Sequence, residues 1–395
     1  MSSCGLVLAG NVESKCLNTV IPILSRDATG TSRTGGRTAS RAGRGGDLNT
    51  DKGKRATTDP EMAKLRAEII RISKEVKGQL GFYMKHVESG KELAIDADKI
   101  FPLGSVFKIP LMVETIRQVD AGLLSMDEKL KLEQRNMCIG SGILQYLTPG
   151  LELTVRDLIT LMIVATDNTA SEMLWKRIGI QSVNMLIKDL GLAKTSIYLP
   201  WREGFLLTMG KGPFKDMSSA EAARIWKGMT DLDRMKVLND IDREYSDLSI
   251  EDFRKEYERL YGVKEGKKFK TQKEYDQVFD NVGTPREIGF ILEKILKGEV
   301  VSKERSAEML TMLMRGHAGS AIPQYLSEDI PVAAKAGITA GSVNNAGIIF
   351  VSSNSHIVLC VFFKNLEERT PDHAQMVEAK MARIVYDHFS KVRTP

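Results

Sequence analysis

The chain is poor in the residues that most metal- and histidine-based hydrolases depend on. Its five histidines, His86, His317, His356, His373 and His388, show no ligand spacing, and no His-Glu-x-x-His occurs. The pattern therefore speaks against a zincin. No Gly-x-Ser-x-Gly occurs either, which speaks against the nucleophile turn of an α/β-hydrolase. A Ser-His-Asp triad assembled in space stays open, with His317 as its candidate histidine and a surface-loop histidine as the plainer reading. The four cysteines, Cys4, Cys16, Cys138 and Cys360, have neither metal nor redox spacing. Cys138 and Cys360 read as free buried thiols, a bridge between them being the alternative. No apolar run is long enough to span a membrane. Leu6-Val7-Leu8-Ala9 is apolar but has no basic stretch before it, so it makes a poor secretory signal. Nothing in these patterns implies a metal or an organic cofactor.

The chain has apolar residues enough for a large core, 42% of the total, and a net charge of only +5. The basic excess sits partly in a Gly/Ser/Thr/Arg-rich stretch, with Arg26, Arg33, Arg37, Arg41, Arg44, Lys52, Lys54 and Arg55. No aromatic residue interleaves these charges, so a nucleic-acid-binding arm is disfavoured. Residues 1–58 read as a disordered leader or linker. Residues 59–395 read as one two-lobed unit.

The unit opens with a helix over 59–77, capped by Asp59 with Pro60 at its first position and Gly78 just past its end. Residues 80–87 and 92–95 alternate as a hairpin, turned by Glu88-Ser89-Gly90-Lys91. Residues 100–200 are mainly helical. Strands are expected at 332–335, 346–352 and 357–363, then a closing helix over 376–389. Strands at both ends with helices between predict an α+β fold: one antiparallel sheet built from both chain ends plus an all-helical lobe. The sheet lobe takes 59–100 and 283–395, and the helical lobe 101–282. Within the latter, 214–282 is strongly charged, with capping boxes at Ser218/Glu221 and Ser249/Asp252 and a stripe of Phe253, Tyr257 and Tyr261. It reads as an inserted helical segment packed near the cleft, or else as a decoration far from the chemistry.

The most informative local feature is Ser105-Val106-Phe107-Lys108. Ser105 is the only serine with a lysine three residues on. On a helix, positions i and i+3 share a face, so hydroxyl and amine project together. A serine needs a base, and a partly buried lysine can serve. Ile109, Pro110, Leu111, Met112, Val113 and Ile116 continue the helix as an apolar element, which predicts burial. Two more fragments stand out: Thr166-Asp167-Asn168 after an apolar helix, and Lys335-Ala336-Gly337 on a strand. Gly140-Ser141-Gly142 reads as a loop on the cleft rim.

These three fragments, in this order, resemble the Ser-x-x-Lys, Ser-Asp-Asn and Lys-Thr-Gly motifs of class A β-lactamases and penicillin-binding proteins. The resemblance covers roughly residues 60–205 and 283–390. It is supported by Leu158 to Ile163, by Glu172-Met173-Leu174 and by Thr284-Pro285-Arg286-Glu287-Ile288. Two letters depart from the family. Thr166 adds a methyl to the expected serine. Ala336 lacks the hydroxyl that helps hold the substrate carboxylate, and Arg315 is the nearest arginine before it.

The resemblance implies a serine hydrolase working through an acyl-enzyme. Ser105 would be the nucleophile and Lys108 its base. Thr166 would relay a proton to the leaving nitrogen, aided by the charge of Lys335. Asn168 would hold the acyl side chain, with Ser141 on the rim. The oxyanion would lie between the N–H groups of Ser105 and Ile338, beside Gly337. Glu203 would be the deacylation base, or else a surface residue paired with Arg202. The substrate implied is a β-lactam, with an ester or a D-amino-acid peptide as alternatives, and a penicillin sensor that acylates without efficient turnover as a third reading. A monomer exported to the periplasm or medium, with no nucleic-acid partner, completes the expectation.

Overall fold

In the computed structural model the described residues are 59–261, 273–274, 277–316, 319–367 and 371–390. The expected leader at 1–58 and His317 lie outside them. Helix α1 (Pro60–Ser73) starts as the sequence predicts: Asp59 Oδ1 accepts the N–H groups of Glu61 and Met62. It stops a turn earlier than expected, where Ser73 Oγ bonds back to Ile70 O at 2.8 Å.

Strands β1 (Gln79–His86) and β2 (Lys91–Ile95) form the expected hairpin. β3 (Phe101–Pro102) leads into a 3₁₀ turn over Gly104–Phe107 and then α2 (Lys108–Asp120). β4 (Lys129–Lys131) pairs with β5 (Glu152–Thr154). α3 (Val155–Val164), α4 (Asn168–Ile178), α5 (Ser182–Asp189) and α6 (Trp201–Thr208) follow. Residues 214–282 carry α7 (Ser219–Gly228), α8 (Asp231–Glu244) and α9 (Ile250–Tyr261). The Ser218 capping box forms, and Ser249 Oγ accepts the Asp252 N–H at 3.0 Å. β6 (Val282–Gly283) returns to pair with β3. α10 (Pro285–Lys297), α11 (Lys303–Arg315), β7 (Val332–Ile338), β8 (Ser342–Ser352), β9 (Ser355–Lys364) and α12 (Pro371–Ser390) complete the chain.

The main sheet is antiparallel in the order β2-β1-β9-β8-β7, so strands from both chain ends meet, with Phe82 opposite Val361. Alternate residues serve two cores. Phe82, Ala334, Val343 and Leu359 pack with α1 and α12, while Tyr83, Ala333, Ile348 and Cys360 face the helical lobe. Burial on both faces explains why β9 is buried along nearly its whole length. β8 begins earlier than expected, because two consecutive amides that read as loop residues are satisfied inside. Asn344 Nδ2 donates to Pro102 O at 2.8 Å, and Asn345 Oδ1 accepts from Ala321 N at 2.8 Å. Cys138 and Cys360 are free and buried.

The segment bearing α7, α8 and α9 packs on the other helices. The buried Arg202 guanidinium donates to Met137 O (2.6 Å), Tyr245 O (2.9 Å) and Leu248 O (3.2 Å), and lies over Phe253. Arg254 donates to Gln145 Oε1 at 3.3 Å and stacks on Tyr146. No described helix is long and apolar enough to cross a membrane.

Candidate active site

Three backbone devices aim Ser105. β3 pairs with β6, Leu103 N donates to Asn281 O at 2.8 Å, and the buried Asn344 amide holds Pro102 O. The turn carrying Ser105 then meets the end of β7 at very short range. A Cβ on Gly337 would lie 2.2 Å from Leu103 O and 2.9 Å from Ser105 N. A Cβ on Gly104, whose φ is +50°, would lie 2.8 Å from Ile338 N. Only glycine permits this approach. Thr339 N–H bonds across to Ser342 O. Strand alternation therefore turns the Ile338 N–H the other way, toward the Ser105 turn. The Ser105 and Ile338 amides are thus brought to one place, as an oxyanion site requires.

Lys108 starts α2 and is fully buried. Its Nζ donates to Thr166 O (2.6 Å), Asn168 Oδ1 (2.7 Å) and Thr166 Oγ1 (3.3 Å). Ser105 Oγ is not among these partners. Burial, and next the charge of Lys335, push the Lys108 ammonium well below the usual lysine range. Lys335, also buried, donates to Thr166 Oγ1 and to Ala336 O, both at 3.0 Å. Burial lowers it to about 7. One hydroxyl therefore sits between two lysine amines that burial disposes to give up protons.

Thr166 reaches this place at a backbone cost. Its φ is +50°, a left-handed conformation that a β-branched residue rarely adopts. Such strain, of order 1–3 kcal/mol, persists where the surroundings over-determine it. The surroundings here are the two lysines, the rim loop and Asp167. Ser141 Oγ donates to Thr166 O at 2.6 Å and lies 3.3 Å from Asn168 Oδ1. Asn168 Nδ2 donates to Ile139 O at 2.9 Å. Asp167, the middle letter of its motif, has a role that the sequence did not suggest. It caps α4 through Ala170 N (2.9 Å), and its other oxygen accepts Ile143 N (2.7 Å) and Leu144 N (2.9 Å). The buried carboxylate is the bolt of the rim loop.

Ser105, Lys108, Thr166, Asn168, Lys335, Gly337, Ile338 and Ser141 are therefore brought together. Glu203 is not joined to them. It lies on α6, 1% exposed, and neither of its oxygens has a hydrogen-bond partner among the described residues. Lys176 Nζ is 3.7 Å away, itself held by Asp242. A surface pair with Arg202 is not what forms, because both residues are buried: Arg202 binds carbonyls instead. The residue two places earlier, Trp201, packs its indole on Phe107 at 5.9 Å and on Phe205 at 5.1 Å. Glu172, one helical turn after Asn168, accepts Trp201 N (2.6 Å) and Arg202 N (3.2 Å). The sequence offered a signal for Glu172 in its position four residues past Asn168, on the same helix face. Among the described residues no group of His, Cys, Asp and Glu is arranged to hold a metal ion.

A two-lobed α+β fold with Ser-x-x-Lys, a Thr-Asp-Asn and a Lys-Ala-Gly strand meeting at the lobe boundary defines the class of the penicillin-recognising serine enzymes. The chain belongs to the beta-lactamase enzyme family, whose model matches residues 64–389. It is similar to beta-lactamase L2 of Stenotrophomonas maltophilia, 27% identical over 142 residues, which is 35% of this chain and 46% of that protein. The chain thus spans under half the length of that curated relative. Among solved structures it resembles a beta-lactamase of Sphaerobacter thermophilus, with TM-score 0.58, 22% identity and coverage of 84% of this chain and 98% of that one. It also resembles PBP-A, with TM-score 0.59, 21% identity and coverage of 83% and 97%. At such identities the structural likeness concerns the fold.

Proposed function

We propose that this protein is a serine hydrolase that opens the β-lactam amide through an acyl-enzyme on Ser105, with acylation faster than hydrolysis. The observation that carries this reading is the Thr166 hydroxyl, held between the buried amines of Lys108 and Lys335 beside the Ser105 turn.

Ser105 Oγ attacks the lactam carbonyl carbon, and its proton passes to neutral Lys108. The carbonyl oxygen takes the negative charge and accepts from the Ser105 and Ile338 N–H groups. As the tetrahedral centre collapses, the C–N bond breaks and the departing nitrogen takes the Thr166 hydroxyl proton. Thr166 recovers a proton from Lys108, or from Lys335 in its charged form. Asn168, engaged at both ends, holds Lys108 and presents the rim to the acyl side chain. No hydroxyl stands at Ala336, so a substrate carboxylate relies on Lys335.

Hydrolysis of the ester needs a base for the incoming water. Glu203, the carboxylate expected there, is sealed beside Lys176, and the indole of Trp201 lies against the Ser105 turn instead. This favours a long-lived acyl-enzyme and keeps the penicillin-binding reading as the second one, with turnover of esters or D-amino-acid peptides as its measurable variants. Export from the cytoplasm follows from the same reading.

Incubation with benzylpenicillin followed by intact mass over time tests the proposal. A covalent adduct of one penicillin on Ser105 should accumulate and decay slowly. A folded protein that neither forms the adduct nor consumes penicillin would refute it.

A further inference from the structure

One helical turn beneath Asn168 lies a second group of buried charges that the acylation scheme does not use. Glu172 is fully buried on α4 and Glu203 is 1% exposed on α6. Glu172 Oε1 accepts the N–H groups of Trp201 and Arg202, which brings its carboxyl to the residues immediately before Glu203. Glu172 Oε2 and both Glu203 oxygens have no hydrogen-bond partner among the described residues. Leaving such atoms unpaired costs about 1–3 kcal/mol each and calls for an explanation.

Counting charges supplies one. On α4, Lys176 stands 3.7 Å from Glu203 but 2.5 Å from Asp242 of α8, which claims it. On α6, Arg202 is buried against three carbonyls and carries the remaining positive charge. From the rim loop comes Cys138, whose thiol burial pushes well up, so it is neutral. From α2 comes Lys108, which must be neutral to act as a base. Two cations, Lys176 and Arg202, thus face three carboxyls, Asp242, Glu172 and Glu203. Lys176 and Asp242, both partly exposed, balance each other, so the buried Arg202 faces two buried carboxyls and one more proton is needed; two carboxyls whose free oxygens have no other partner can hold it between them.

We propose that Glu172 and Glu203 share a single proton, and that this half-protonated pair is a positioning element that fixes how readily Lys108 gives up its own. The direction follows from charge. A second negative charge one turn below Asn168 would favour the ammonium form of Lys108 and leave less of the free amine that can accept a proton. The shared proton withholds that charge. Burial, and for Glu172 the charge of Glu203, raise the two carboxyls above their ordinary range, in agreement with this state. The part concerning Lys108 as a base rests on the proposed acylation; the proton sharing does not.

The two parts can fail separately. Difference infrared spectroscopy near neutral pH reads the C=O stretch of a protonated carboxylic acid. It is recorded in a Glu378→Gln background, since Glu378 is also buried and its carboxyl is raised well above the usual range by burial. The band should be present in that parent and absent from both Glu172→Gln and Glu203→Gln, because the remaining carboxylate then has Arg202 to itself. A band that survives in either single variant, or that is missing from the parent, overturns the sharing. The ¹³Cε shift of Lys108, assigned with Lys108→Arg, reads its titration without any turnover. The midpoint should stay put in each single variant and fall in the double Glu172→Gln/Glu203→Gln variant. A midpoint that falls already in the single variants means both carboxylates are ionised, and one that is unmoved in the double variant means no coupling to Lys108. Either result overturns the proposal even if the protein acylates as proposed. Absence of penicillin acylation with these spectroscopic results intact would sink only the proposed function.

Discussion

Helix α4 carries two polar sites one turn apart, and they differ in every respect that matters. At its first turn Asn168 has both ends of its amide bonded, and the lysine and threonine beside it are equally well served. One turn on, Glu172 has one oxygen bonded and one bare, and Glu203 beside it has none bonded. The first site is a finished network, which rigidifies; the second is an unfinished one, which is costly. The contrast sets the proposed acylation chemistry at the upper site against the proposed sharing of a proton at the lower one.

Ser105→Ala should reduce penicillin labelling to background with the fold kept, as judged by intact mass and circular dichroism; labelling of the variant at the wild-type level would move the nucleophile elsewhere. Lys108→Arg keeps the charge but cannot deprotonate at working pH. Its acylation rate constant should fall by about a hundredfold or more, the scale of a general base.

The lower site should govern the pH dependence of stability. Glu172 has a folded-state value raised above 4.5, so the folded protein binds more protons than the unfolded chain over that interval. The contribution of Glu172 is then greatest at acid pH and is lost as pH rises from about 5 through the raised value. The loss approaches about 1.4 kcal/mol for each pH unit crossed between the unfolded and folded values. Urea midpoints should fall over that range in wild type and fall less steeply in Glu172→Gln, where the buried Glu378 still contributes its own slope. Equal slopes for the two proteins would show that the carboxyl is not held neutral. The smallest effect is expected at the polar contact of α9 with Gln145: Arg254→Ala should cost about 0.5–1 kcal/mol in urea denaturation, the scale of one ordinary hydrogen bond.

The upper site was largely legible in the sequence, because its chemistry demands particular letters at fixed offsets. Ser105 and Lys108 share a helical face, and Gly337 marks a close backbone approach. The sheet was legible too, since strands with alternating or continuous apolar character bracket a helical middle. What escaped was everything set by long-range polar partners. Asn344 and Asn345 read as loop residues because nothing local reveals Pro102 O or Ala321 N as their partners. Glu203 read as a base or a surface residue because carboxylates are seldom buried. Its neighbour Arg202 is buried as well, on three carbonyls from segments 65, 43 and 46 residues away in the chain. Asp167 escaped because Asp, Asn and Thr are all good helix caps, and the second oxygen's work on the rim loop has no local signature.

The pairing of β1 with β9 bears on the order in which the protein is made. Leu80 waits for Phe363, so the sheet cannot close until almost the entire polypeptide has emerged. Contacts so distant in sequence are slow to form, because a long loop must be closed before they repay its entropy. The helices bearing Lys108 and Asn168, and the turn between α3 and α4 that bears Thr166, need no such wait. During synthesis Ser105, Lys108 and Thr166 would therefore be in place before β7 arrives with Lys335 and the Ile338 amide. On the proposed mechanism, acylation in a refolding reaction should appear with the docking of the last strands rather than with the collapse of the helices.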